Sequence, residues 1–521
     1  RYFLQATEQL KDTGFRMMEE DGPNAVDLVD WLVEHTHSGQ TVGIDGMTFS
    51  ISYAQRLEQE LGDNGVKLNT EFPVFDYIYP DRPARPMNPL FVHDENIVGV
   101  TTDRKMEAIM EEVKPELANA ILLSSLDDIA WATNLRAAND IAYSPVFVAF
   151  LYIDNERRVL FIDGEKLTDE VKAHLQKYHI EVQPYDSVTE FVAGLPKETR
   201  LLLDPEKTAR GIYDHVGCSV VFGGSAVAKL KSIKNESMIQ SIRTAMLKDG
   251  VALTRFFMLV EREYPKGRLT EIGLARELRS LRLADPTCVD ESFGSIIGWN
   301  GHGAIVHYEP TEESSSDIKG DGLLLVDSGG QYRDGTTDIT RTIALGPVTC
   351  DRRYAYTAVL KSNIRLAAAK FRYETTGAEL DVIARKPLKD RGFDFNHGTG
   401  HGVGHMLSVH EGPNTISRRG DKCCIVPGMI TSDEPGVYFA GEYGIRLENE
   451  ILCIEEGDGL CFETITLCPF DREAIEVNML EDDELEFLNR YHSRVYDTLK
   501  EYLDEDEAKW LLKQTEPLHR Q

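Results

Sequence analysis

Acids and histidines set at strand ends and in glycine-rich loops mark the C-terminal half of this chain as the place where chemistry can occur. Leu323-Leu324-Leu325-Val326-Asp327 reads as a buried strand ending on a carboxylate, and Asp334-Gly335 is a strong turn signal. A hairpin-like return would bring Asp338 back beside Asp327. Two acids forced together in a partly buried place repel, and need a shared proton or a cation. Taken alone, the pair is also readable as a turn-capping Asp327 and a surface Asp338.

The second pattern is His397-Gly398-Thr399-Gly400-His401-Gly402-Val403-Gly404-His405, followed by Val409-His410-Glu411-Gly412-Pro413. The alternating glycines are expected to let backbone approach a ligand closely. A lone histidine is more often a satisfied core group than a ligand, but four in one glycine-rich segment favour a site. Not all four can bind one metal, so some should serve substrate or proton transfer. In the third pattern, Thr431-Ser432-Asp433-Glu434-Pro435-Gly436, a carboxylate precedes a turn directly after a strand. The fourth, Gly444 to Leu452, alternates with period two: Ile445, Leu447 and Ile451 mark one face, Arg446, Glu448 and Glu450 the other. If one face lines the inside of a barrel-like sheet, Arg446 and Glu448 enter a cavity. The bland alternatives are a turn acid at Glu434 and an exposed charged face at Arg446-Glu448. Together, two Asp, one or more His and two Glu form an oxygen-rich set without sulfur. Such a set suits two hard or borderline divalent ions, which can hold a hydroxide between them and clamp a hydrolytic transition state.

The elements that must position these groups divide the chain into three. Residues 1–92 read as α/β, with a strand at Val42 to Asp45 and a helix around Tyr53 to Leu61. The proline-rich stretch Asp81 to Pro89 breaks all periodicity and sets the first boundary. Residues 93–225 form a second α/β unit: a helix over Lys105 to Val113, strands at Ala120 to Ser124, Val146 to Ile153 and Arg158 to Asp163, and Leu201 to Asp204 leading into a helix from about Glu206. Tyr2-Phe3-Leu4 reads like a strand under way, a faint echo of Leu160-Phe161-Ile162 that makes a repeated domain plausible. Gly223-Gly224-Ser225 marks the second boundary, and residues 226–521 carry the chemistry. There a helix starts at the N-cap Asn235 and runs, on the spacing of Ile239, Ile242, Met246, Leu253, Phe257 and Val260, to Pro265-Lys266-Gly267. The last forty or so residues are acidic and helical, anchored by Trp510, Leu511 and Leu512.

Composition narrows the partners. The 521 residues carry 56 Lys+Arg against 87 Asp+Glu, a net charge of −31, a field that repels nucleic acid and anionic membranes. Eight cysteines without a C-x-x-C pair are no disulfide scaffold and point to a reducing compartment. No apolar run approaches the roughly twenty residues of a membrane span. There is no initiator Met, so the first domain is expected to lack its natural start, along with any signal there.

The motifs D-S-G-x-Q-Y-x-D-G-T-T-D-x-T-R-T, H-G-T-G-H-G-V-G, V-H-E-G-P, T-x-D-E-P-G and G-I-R-x-E-N, in this order, resemble the aminopeptidase P (Xaa-Pro aminopeptidase) family, most closely its three-domain cytosolic form. Asp81 to Pro86, Leu126 to Trp131, Asn134 to Arg136, Ala304 to Tyr308 and Phe462-Glu463 are similar too, so the resemblance covers essentially the whole chain. It implies two creatinase-like α/β domains followed by an α+β pita-bread catalytic domain with a C-terminal helical extension. It also implies a cytoplasmic homodimer that uses two divalent ions, usually Mn²⁺, with Zn²⁺ or Co²⁺ as alternatives. The substrates implied are peptides with proline in second place, and the bond cleaved is the one before that proline. The implied metal ligands are Asp327, Asp338, His401, Glu434 and Glu448. Asp338 and Glu448 bridge the ions, Asp327 completes one shell, and His401 and Glu434 complete the other. Substrate contacts fall on His307, His397, His410 and Arg446. Glu434 becomes the proton carrier, with His410 or His307 on the developing oxyanion. His405 is an extra histidine with no assigned role, expected behind the site or at the surface.

Three rivals share this fold. Prolidase has the same five ligands but takes only dipeptides; the three-domain layout and H-G-T-G-H-G-V-G favour aminopeptidase P. Binding modules of the histone-chaperone and ribosome-associated kind have lost ligands, and creatinase works without metals. The intact set here argues against both.

Overall fold

The computed structural model describes residues 3–19 and 25–520, which fall into two compact units. The first spans residues 6–141 and 146–231. Helix α1 (Ile51–Asp63) buries Ile51, Ala54, Leu57 and Leu61 beside the short parallel pair β1 (Thr41–Gly43) and β2 (Lys67–Asn69). Beyond it lies a six-stranded mixed sheet of β3 (Ala120–Leu123), β4 (Phe150–Asp154), β5 (Arg158–Phe161), β6 (Glu181–Gln183), β7 (Arg200–Leu203) and β8 (Ser219–Phe222), in the order β8-β7-β3-β4-β5-β6. Its central strands are apolar on both faces because both are covered.

Three sequence expectations fail here. Tyr2 lies outside the described residues, and Phe3–Gln9 is a helix, not a strand, so the echo with Leu160 loses its first anchor. The helix expected from Glu206 begins only at Arg210, because the Pro205 and Thr208 carbonyls instead accept from Ser52 and Ile51 N–H at the start of α1. The strand expected from Val146 starts at Phe150.

The second unit holds residues 3–5, 142–145 and 232–520. Asn235 accepts from Met238 N–H and starts α2 (Glu236–Glu263), whose buried stripe includes Met238, Ile242, Met246, Leu253, Phe257 and Val260. The helix passes into a short 3₁₀ turn closed by Gly267 at φ 65°, a left-handed position suited to glycine. Against it packs a three-stranded antiparallel sheet of β9 (Ile296–Trp299), β10 (Gly322–Ser328) and β13 (Ile339–Leu345). Strand β10 is buried on both faces and pairs Asp327 with Thr340. Between β10 and β13, β11 (Gly330–Tyr332) and β12 (Gly335–Thr336) form the hairpin that Asp334-Gly335 signalled. A second sheet contains β16 (Ile430–Asp433), β19 (Asn449–Glu456) and β20 (Gly459–Thr464); four smaller strands, β14 (Gly400–His401), β15 (Thr415–Ile416), β17 (Gly436–Phe439) and β18 (Tyr443–Arg446), complete the surround.

A buried ion pair ties the start of this unit to its histidine loop. Lys234 Nζ lies 2.8 Å from Glu411 Oε1, and both side chains are 1% exposed. Removing one partner leaves the other charged in a dry interior, at a cost of about 3–5 kcal/mol. Lys234→Met should therefore lower the urea midpoint of this unit sharply, while the double variant Lys234→Met/Glu411→Leu should recover most of the loss. A single variant as stable as wild type would show that the pair carries no such weight.

Candidate metal centre

All five expected ligands sit at strand ends. Asp327 is near the end of β10, Asp338 just before β13, His401 at the end of β14, Glu434 directly after β16, and Glu448 between β18 and β19. Antiparallel pairing brings Asp338 back toward Asp327 as the hairpin required. Atoms of Asp338, His401 and Glu448 lie within 4.8 Å of one another. His401 Nε2 is 3.5 Å from Asp338 Oδ2 and 3.6 Å from Glu434 Oε1. These residues, together with His307, His397, His410 and Arg446, line one cavity of about 620 Å³. Arg446 and Glu448 are buried, so the exposed-face alternative for the fourth pattern does not hold.

The electrostatics are those of an acid cluster waiting for cations. Burial, and then repulsion from Glu448, Asp327 and Glu434, hold the Asp338 carboxyl well above the usual carboxylate range. Burial and the Asp327 charge push Glu448 up to about 8, although the Thr340 hydroxyl donates to its Oε2 at 2.7 Å. Asp327 Oδ1 is buried without a hydrogen-bond partner, while Oδ2 takes the Arg446 guanidinium at 2.5 Å. Four carboxylates thus face one guanidinium, and one buried carboxylate oxygen is left open. This donor set fits divalent cations. On His401, Nδ1–H donates to the Gly402 carbonyl at 3.0 Å, which leaves the Nε2 lone pair facing the carboxylates.

Tyr438 escaped the sequence reading. Its hydroxyl lies 2.8 Å from His397 Nε2 and 2.8 Å from Arg446 Nη1. Since His397 Nδ1–H donates to the Gly398 carbonyl, Nε2 is the acceptor. The order is therefore Arg446 to Tyr438 to His397, each donating to the next. Burial pushes the phenol up to about 12, so it stays a donor at neutral pH. Pairing of Gly436 with Arg446 makes Tyr438 and Arg446 diagonal neighbours on one face. The signal was the tyrosine two places after Gly436, readable only once that register is known. Thr340, which also accepts from Arg446 Nε, was missed for the same reason.

The structure adds to two readings of the histidine segment. The glycines there approach the protein's own backbone: a Cβ on Gly400 would lie 1.8 Å from the Ser432 carbonyl oxygen, and one on Gly402 2.1 Å from that of Glu411. They let β14 lie against the β16 segment and thereby set the position of His401. His405 is buried and contacts Ser241 Oγ at 2.8 Å on α2, behind the cavity lining.

Residues 240–455 match the sequence profile of metallopeptidase family M24, residues 81–237 that of the creatinase/prolidase N-terminal domain, and residues 458–518 that of the C-terminal region of peptidase M24. A probable Xaa-Pro aminopeptidase P of Talaromyces marneffei is 36% identical over 99% of this chain and 82% of its own length. The chain belongs to the aminopeptidase P family. Aminopeptidase P1 of Lotus japonicus is 32% identical over 99% of this chain and 89% of its own. The X-prolyl aminopeptidase of Caenorhabditis elegans, described as a cytosolic enzyme with a di-nuclear active site, superposes with a TM-score of 0.93 at 32% identity, covering 99% of this chain and 87% of that one. An Xaa-Pro dipeptidase of Bacillus anthracis, at 23% identity and a TM-score of 0.60, shares the fold over 71% of this chain. Membership makes this protein a metallopeptidase with a creatinase-type N-terminal region and a pita-bread catalytic fold, as the motifs implied. Among the described residues, no helix is long and apolar enough to cross a membrane.

Proposed function

We propose that this aminopeptidase P releases the N-terminal residue from peptides with proline in second place. The observation that carries this is the convergence of five ligand-type residues, three further histidines and Arg446 on one cavity. Asp327, Asp338, His401, Glu434 and Glu448 would hold two divalent ions; Mn²⁺ is the expected metal, Zn²⁺ or Co²⁺ the alternatives. When bound, such ions supply Lewis-acid activation of water and of the scissile carbonyl. The residues supply the rest. The prolyl nitrogen has no N–H and must gain a proton to leave. Glu434 takes the proton of the attacking water and hands it to that nitrogen. His410 or His307 donates to the developing oxyanion. Arg446, pinned between Asp327 and Tyr438, orients His397 through the tyrosine. The His410 ring stands edge-on to His401, with centroids 4.2 Å apart, so it borders the metal side of the cavity.

We further propose a cytoplasmic homodimer, with residues 1–92 and 93–225 as separate domains before the catalytic residues 226–521.

A site shaped for proline need not offer an acceptor for a P1′ amide hydrogen. A secondary amide would bring an unpaired N–H into it, at a cost of about 1–3 kcal/mol. The Mn²⁺-loaded enzyme should therefore cleave X-Pro peptides at least about tenfold faster in kcat/KM than X-Ala peptides. Equal turnover would leave a general metal aminopeptidase. Cleavage of X-Pro dipeptides alone would transfer the chain to the prolidase reading.

A further inference from the structure

The cavity has a second acidic feature, separate from the ligand cluster. Glu309 lines it two residues beyond His307, is exposed at its edge, and belongs to none of the motifs. Its position is fixed by its neighbours. The hydroxyl of the preceding Tyr308 donates to Glu271 Oε2 at 2.8 Å, and Glu271, fully buried, also accepts from Trp299 N–H at 2.7 Å and Ser316 N–H at 2.7 Å. That one carboxylate therefore pins both ends of the loop that carries His307 and Glu309. Pro310 follows and stiffens the exit.

The Glu309 carboxylate lies over bare backbone: a Cβ on Gly294 would come within 2.8 Å of its Oε1. Its own hydrogen bond is a long one, from the Tyr143 hydroxyl at 3.4 Å. A carboxylate can accept about four hydrogen bonds, so most of that capacity remains for a ligand. Among the described residues lining the cavity, Arg446 carries the one guanidinium or ammonium group, and it is committed to Asp327, Thr340, Tyr438 and the Val306 carbonyl. Phe293, Ile296 and Val306 give the same cavity apolar lining, and Phe293 directly precedes Gly294, the residue under the Glu309 carboxylate. A cavity with apolar lining and an exposed carboxylate among its lining residues is complementary to a long aliphatic stem tipped with a cation.

We infer that Glu309 is a specificity-determining residue that favours peptides whose released residue is arginine or lysine. This rests on the Xaa-Pro reading and narrows its substrate class. The test compares Arg-Pro-Pro with norleucine-Pro-Pro, which keeps an aliphatic stem and lacks the charge, on the Mn²⁺-loaded protein. Wild type should prefer the cationic peptide by about three- to fivefold in kcat/KM, the scale of a partly exposed charge pair. The preference should shrink at high salt. In Glu309→Gln the ratio should fall to near unity, and in Glu309→Lys it should invert. A general disturbance of the loop would lower both rates and leave the ratio in place. An unchanged ratio in Glu309→Gln overturns the inference. So does an equal loss on both peptides, which would make Glu309 a contact for the amino terminus they share. If wild type cleaves neither peptide, the Xaa-Pro reading falls and this inference with it; if it cleaves both equally, the inference alone falls.

Discussion

Treatment with a strong chelator is expected to abolish peptide hydrolysis and lower the thermal midpoint, and added Mn²⁺ is expected to restore both. The reason lies in the charge of the cavity. Asp327, Asp338, Glu434 and Glu448 converge with Arg446 as the one guanidinium or ammonium group among the described lining residues, and Asp327 Oδ1 is buried without a hydrogen-bond partner. Such a cluster is unfavourable by itself, and divalent ions remove the repulsion while filling the open acceptor. Ions that bind the folded state alone stabilise it by RT ln(1 + [L]/Kd), about 3 kcal/mol at a hundredfold excess over Kd. Carboxylates and imidazole ligate in their deprotonated forms, so the ions should be stripped more easily as pH falls. Elemental analysis should find about two divalent ions per chain. Asp338→Ala, which removes a proposed ligand, should reduce metal content and activity together and should not be rescued at ordinary Mn²⁺ concentrations. A metal-free protein with full activity would overturn the assignment.

Much of this site was legible because its ligands stand where sequence patterns are sharpest. Asp327 ends an uninterrupted apolar strand, Asp338 follows a two-residue turn, and Glu434 precedes Pro-Gly, so topology follows from local signals. What stayed hidden depended on pairing between strands. Tyr438 meets Arg446 and His397 only through the β17–β18 register, and Thr340 reaches Glu448 through the fold-back of β13. The histidine-segment glycines were half legible for a related reason: the sequence shows that something approaches them closely, but not that at Gly400 and Gly402 it is the Ser432 and Glu411 backbone. In the first unit, local apolar runs were poor guides to element ends. The carbonyls of Pro205 and Thr208 cap a helix more than a hundred residues earlier, which no local pattern reveals. Glu309 was passed over because nothing in its neighbourhood marks it. Its interest arises only when Phe293, Gly294 and Val306 are seen to line the same cavity.

Glu434→Gln is expected to cut kcat by about 10²- to 10⁴-fold while moving KM only a few-fold. Glu434 is asked to do two things, and the substitution separates them. Glutamine has nearly the same shape and keeps a carbonyl oxygen that can face a cation, but it can neither accept the proton of water nor return it to the prolyl nitrogen. The geometry favours Glu434 over its neighbours for this task. Its side chain is 19% exposed, against 5% for Asp338 and 10% for Asp327, so it is the one of these three most open to the cavity. Its Oε1 lies 3.6 Å from His401 Nε2, and its Oε2 lies 4.0 Å from His397 Nδ1. The carboxylate thus spans from the proposed metal side to the proposed substrate side, as a carrier between water and leaving group must. Asp338 and Glu448, more deeply buried, are better suited to holding charge than to moving protons. The decisive comparison is made at matched metal content. If Glu434 were a ligand alone, the loss would follow metal occupancy and vanish with excess Mn²⁺. If it carries the proton, the loss persists at full occupancy. A Glu434→Gln enzyme with near wild-type kcat would leave proton transfer to another group, and the histidines bordering the cavity would be the next to test.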